Sequence, residues 1–154
     1  GGEFGQPREW NHAESLPWHL ADEPRHAGIR SLVRDLNRAY RGMPALHALD
    51  HDGEGFSWLS WQDDVHSVLS FLRKAGGEHV VVMLNFTPVP RYGYRVGVPH
   101  AGAYREVLNS DSSYYGGSNL GNSVIATEPV ACMGYPQSLV ITLPPLAGLV
   151  LVPA

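Results

Sequence analysis

Apolar residues Ile29, Leu32, Val33, Leu36 and Tyr40 recur at i, i+3, i+4, i+7 and i+11, the spacing that lays one stripe along a helix. Arg30, Arg34, Asp35 and Arg38 fall mostly off that stripe. Asp22-Glu23-Pro24 suits the entry, with acids at the positive helix end and a proline in the first turn. Arg41-Gly42-Met43-Pro44 suits the exit: a basic last turn, a glycine able to turn left-handed, then a proline. Pro44 to His47 adds a short helical turn. The stripe predicts a helix that needs a partner. Partial exposure and self-association through this face are expected where none is supplied.

Beyond Asp50 the pattern changes. Short runs of β-branched and aromatic residues follow, each closed by Gly, Pro, Asn or Asp: 56–59, 67–73, 79–86, 94–98, 103–109, 124–127, 138–143 and 148–151. Gly76-Gly77 predicts a hairpin turn. Eight strands with no helices between them predict a mainly β fold, an antiparallel Greek-key β-sandwich. Val80-Val81-Val82-Met83-Leu84 is continuously apolar and predicts a central strand buried on both faces. Simple alternation sends Trp58 and Trp61 to opposite faces and favours core packing for at least one of them. Residues 1–22 show no usable period and read as an irregular loop. Ser110 to Ser123 is the longest irregular piece after them, and loops of that length are functional or packed on a neighbour.

Composition narrows the possible functions. The net charge is −4, and Lys74 is the only lysine, so no basic patch suits nucleic acid. The longest apolar tract, Leu139 to Val152, is broken by Thr142, Pro144 and Pro145, and no segment reaches the roughly 20 residues that span a bilayer. A single cysteine, Cys132, cannot form an internal disulfide and fits a reducing, cytoplasmic setting.

Other chemistry is weakly signalled. His47 and His51 lie four apart beside Asp50 and Asp52, but they read as turn residues rather than metal ligands. No Gly-x-Ser-x-Gly elbow accompanies the serines and histidines, and Cys132 has no base near it in sequence. Gly116 to Asn122 is glycine-rich but holds no Lys or Arg, against a phosphate cradle. The expected reading of that loop is an ordered, turn-rich loop packed on a neighbouring element. No cofactor, metal or catalytic residue is assigned.

Gly1-Gly2-Glu3-Phe4-Gly5-Gln6, Arg8-Glu9-Trp10-Asn11-His12, Arg34-Asp35-Leu36-Asn37, Asn85-Phe86-Thr87-Pro88-Val89-Pro90-Arg91, Tyr115-Gly116-Gly117-Ser118 and Leu143-Pro144-Pro145-Leu146-Ala147 occur in that order. Together they resemble the C-terminal part of bacterial glycogen branching enzymes of the α-amylase superfamily. The resemblance implies that residues 1–50 are the last loop and helix of a (β/α)8 catalytic barrel and that 51–154 are a C-terminal all-β domain. It also implies a parent glycosyltransferase that makes α-1,6 branches with a carboxylate nucleophile and a second carboxyl as acid and base. Those carboxyls would precede Gly1, so this chain alone is expected to be inactive. A loop after a barrel strand lies at the active-site face, so Glu3, Gln6, Glu9 and Trp10 would stand near an α-glucan in the parent. Two alternatives remain: a free-standing α-glucan-binding module, and the tail of a related debranching hydrolase.

Overall fold

The computed structural model describes residues 1–154. The chain opens with two 3-10 turns, Gly2–Phe4 and Trp18–Asp22, where the sequence predicts only irregular loop. Two helices follow, α1 (Pro24–Gly42) and α2 (Pro44–His47), then a third 3-10 turn, Gly53–Gly55. The strands are β1 (Phe56–Asp63), β2 (Val68–Ala75), β3 (Glu78–Asn85), β4 (Arg91–Val98), β5 (Ala103–Asn109), β6 (Ile125–Ala126), β7 (Gln137–Leu143) and β8 (Ala147–Pro153). Six form one sheet in the order β1-β2-β3-β8-β5-β6, and β4 pairs with β7 in a second. Every pairing is antiparallel. Sequence-distant β3, β8 and β5 are neighbours, as a Greek-key sandwich requires.

The core lies between the sheets. Leu72, Val81, Met83, Leu149 and Leu151 of the large sheet meet Val96, Val98, Leu139, Ile141 and Leu143 of the small one. Gly76 and Gly77 both have positive φ, +59° and +85°, the backbone that a two-residue hairpin loop demands. β3 is central, as its sequence predicts, but burial on its second face is incomplete. Val80 is buried in an outer cluster with Ala45, Leu108 and Val150, whereas Val82 is only half-buried at its edge. Short α2 covers one end of the strand and no more.

α1 divides its apolar residues between two directions. Leu32, with Met43 just past the helix end, joins the outer cluster. Ile29, Leu36 and Tyr40 stay 39%, 43% and 45% exposed.

β1 corrects the expectation for its tryptophans. Its register against β2 slips between Trp58 and Ser60 and again between Ser60 and Asp63. Each slip adds one residue to β1, so the alternation of faces restarts. Trp58 pairs with Phe71 on the outer face, while Leu59 turns into the core. The second slip leaves Trp61 and Gln62 together opposite Leu69. Trp58 and Trp61 are 49% and 59% exposed, and neither is a core residue.

Candidate functional site

The N-terminal segment is held by a few long-range contacts. Phe4 is buried, with its ring 5.6 Å from that of Trp18. The Nδ1–H of His26, on α1, donates to the Phe4 carbonyl at 2.8 Å. Gly5 has φ +67°, and a Cβ there would sit 2.8 Å from Ile29 Cδ1, so glycine is required on both counts. Asn11 Oδ1 accepts from the Ala13 amide at 3.1 Å and tightens the next turn.

These contacts shape a groove of about 470 Å³, walled by Gln6, Arg8, Glu9, Asn11, Glu14 and His19 among others. Of the four residues picked from sequence, Gln6 and Glu9 line it together. Glu3 and Trp10 are not among its lining residues. Glu3 sits on the first 3-10 turn with its side chain 52% exposed. Trp10 is 73% exposed, its ring 6.0 Å from that of His12. Sequence reasoning passed over Arg8, Asn11, Glu14 and His19. Arg8 and Asn11 stood in the motif beside Glu9, and Glu14 and His19 showed only as polar residues in a loop without a period. The groove offers hydrogen-bonding amides, carboxylates, a guanidinium and an imidazole, a set suited to a polyhydroxyl ligand.

The long loop after β5 packs on α1. Gly28 is buried, and a Cβ there would sit 2.2 Å from the Tyr115 carbonyl oxygen. The Tyr115 hydroxyl donates to Asp35 Oδ2 at 3.0 Å, and Arg34 Nη2 donates to the Tyr114 hydroxyl at 2.7 Å. The hydrogen bond from Arg34 lowers the Asp35 pKa. Burial, then the bond to Asp35, pushes Tyr115 up to about 12. Asp111 organises the rest of the loop by accepting from the Ser118 amide and hydroxyl and the Leu120 amide. The glycine-rich stretch is thus an ordered turn clamped to α1.

Other constellations are occupied by structural roles. Asp50 bonds Tyr40 and Arg73, Asp52 caps the Gly53–Gly55 turn, and His47 lies against Tyr40. No three His, Cys, Asp or Glu side chains converge on a metal-sized site. Asp63 pairs with His66 at 2.8 Å and receives the Tyr94 hydroxyl at 2.8 Å. The nearby Ser67 hydroxyl donates to the Asp64 carbonyl, so that pair serves no serine nucleophile. No helix is long and apolar enough to cross a membrane.

The sequence profile of the alpha amylase C-terminal all-beta domain matches residues 58–154. The chain belongs to this family. It is 57% identical to the 1,4-alpha-glucan branching enzyme GlgB of Cupriavidus necator across 98% of its own length and 20% of that protein. It is 56% identical to the Rhodospirillum rubrum enzyme of the same name, across 99% and 21%. The chain therefore spans about a fifth of the curated relatives it matches. Among solved structures, the Nostoc punctiforme debranching enzyme superposes with a TM-score of 0.58 at 19% identity, over 82% of this chain and 22% of that one. The α-amylase of H. orenii gives 0.54 at 14%, over 98% and 25%. At these identities the likeness is one of fold.

Proposed function

We propose that this chain is the non-catalytic C-terminal part of a 1,4-α-glucan branching enzyme, whose whole protein cuts α-1,4 links and rejoins the freed ends as α-1,6 branches in glycogen. The observation that carries this reading is identity of 53–57% along nearly the entire chain to proteins bearing that name. In this reading residues 1–50 are the last loop and helix of the barrel and 51–154 the all-β domain. The exposed face of α1, with Ile29, Leu36 and Tyr40, would be covered by the rest of the barrel. The groove of Gln6 and Glu9, with Glu3 and Trp10 beside it, would border the glucan cleft. No residue here is assigned to bond cleavage, and no cofactor is invoked. The setting is a reducing cytoplasm, consistent with one free thiol.

The test is an iodine-staining assay on amylose with two proteins: this chain, and a longer one that includes the preceding barrel. The longer protein is expected to lower the absorbance by introducing branches, and the 154-residue chain is expected to leave it unchanged. Branching by this chain alone, or none by the longer protein, overturns the proposal.

A further inference from the structure

We infer that the cavity where α2 meets the ends of β3, β8 and β5 is a site for a small zwitterion with an apolar side chain, the chemistry of a free aliphatic amino acid. The inference rests on no part of the function proposed above. The cavity holds about 430 Å³, within the range of small-molecule sites. Met43, Ala45, Val80 and Val152 give it an apolar floor. Val152 pairs directly with Arg105 of β5, and Glu78 is two residues from Val80 on β3. Both charged side chains therefore stand on the face of the sheet that carries the floor. They line one cavity without an ion pair between them.

A buried histidine completes the wall. His79 is 5% exposed, and its Nε2–H donates to the Tyr104 hydroxyl, which donates in turn to the His100 carbonyl. Burial keeps the ring neutral, so Nδ1 carries no proton. It has no partner in the protein and is open to solvent, an acceptor fixed in place before any ligand arrives. The His100 ring stands edge-on to it at 4.9 Å. These groups select the occupant. A simple anion drawn by Arg105 meets the Glu78 carboxylate, and a simple cation drawn by Glu78 meets Arg105. A neutral sugar leaves both charges without a counterion. An α-ammonium group has protons for Glu78 and for His79 Nδ1, the carboxylate beside it takes the Arg105 guanidinium, and an aliphatic side chain covers the floor.

The test is to titrate this chain at constant pH with L-leucine, glycine, acetate, butylamine and maltotriose while following the His79 and His100 ring signals by NMR. L-leucine is expected to shift both sets of signals saturably. Glycine, which leaves the floor uncovered, should bind about tenfold more weakly, and acetate and butylamine, with one charge each, more weakly than leucine by a similar factor. Glu78→Gln and Arg105→Ala should each lower leucine affinity about tenfold, the loss of a hydrogen bond to a charged group. Both residues are exposed, so melting temperatures should not change; if either variant melts lower, the ligand series on the wild type decides. No saturable shift with leucine overturns the site, as do acetate or butylamine binding as tightly as leucine and folded variants that bind as the wild type does. Equal shifts with maltotriose also overturn it, because the cavity would then take a neutral sugar.

Discussion

The sandwich interior and helix α1 bury their apolar residues to very different degrees. Leu72, Val81, Leu139, Leu149 and Leu151 are 0% exposed, each covered by residues of the same domain. On α1, which the sequence marks equally clearly as amphipathic, three of the five stripe residues stand 39–45% exposed. The sandwich core is closed by residues of this chain, whereas the stripe of α1 is covered only in part. An apolar stripe shows that a face will be covered but does not say which part of a protein covers it.

The most direct way to break this comparison is to truncate one leucine in each region. Leu139→Ala opens a cavity in a closed core and is expected to cost 2–5 kcal/mol, roughly the range for buried leucines. Leu36→Ala removes a side chain that is already 43% exposed and is expected to stay within about 0.5 kcal/mol. Urea denaturation of this chain measures both. If, as proposed, a barrel in the whole protein covers this face, Leu36→Ala in that longer protein should become markedly more costly. Equal, large costs in the isolated chain would show that the helix face is already packed.

Gly28→Ala probes the side of α1 that is packed. Its Cβ would meet the Tyr115 carbonyl oxygen at 2.2 Å, a backbone atom that cannot move aside cheaply. We expect a loss of about 1–3 kcal/mol, the usual range for overpacking, with faster amide exchange in the first turns of α1 and in residues 111–119. Exchange unchanged in the sandwich strands would confirm that the two regions loosen separately.

How far each region could be read in advance follows from the range of the forces that shape it. α1, its proline-marked start and the Gly76-Gly77 hairpin are local: periodicity, a fixed φ and a pair of positive φ angles sit within a few residues. The sandwich was legible for a related reason, because eight short β-rich runs with turn residues between them leave few alternatives. Trp58 and Trp61 were misassigned because a β-bulge is a relation between two strands, invisible in either one alone. The groove at residues 6–20 was hidden for the same reason. Phe4 on Trp18, and His26 on the Phe4 carbonyl, connect positions 14 and 22 apart, and no local pattern announces them. Gln6 and Glu9 were found only because a family resemblance drew attention to that loop.

A smaller effect is expected at the clamp between the regions. Tyr115→Phe keeps the ring and deletes the hydroxyl that donates to Asp35, so about 1 kcal/mol should be lost, the usual net contribution of one hydrogen bond. With the hydroxyl gone, Asp35 loses one of the bonds that hold its carboxyl low, and its NMR titration should shift upward. A titration that does not move would mean that Arg34 alone sets the carboxylate, leaving the clamp to the Gly28 contact.

The smallest expected effect lies inside the sandwich region and concerns pH. His79 is 5% exposed. Its Nε2–H donates to the Tyr104 hydroxyl at 2.8 Å, because that hydroxyl donates its own proton to the His100 carbonyl. Burial first, and the nearby His100 second, depress the His79 pKa below 6.5. The folded chain therefore holds His79 neutral where the unfolded chain binds a proton, so stability falls as pH drops below about 6.5 toward the depressed value. His100, Glu78 and Arg105 share the adjoining cavity. His79→Gln keeps an N–H for Tyr104 and removes the titration, so its urea midpoint should change less between pH 7 and pH 5 than that of the wild type. If both proteins lose stability in parallel, the acid sensitivity belongs to other groups, and the closed core of the sandwich is insensitive to protons in this range while the helix clamp through Asp35 becomes the place to look.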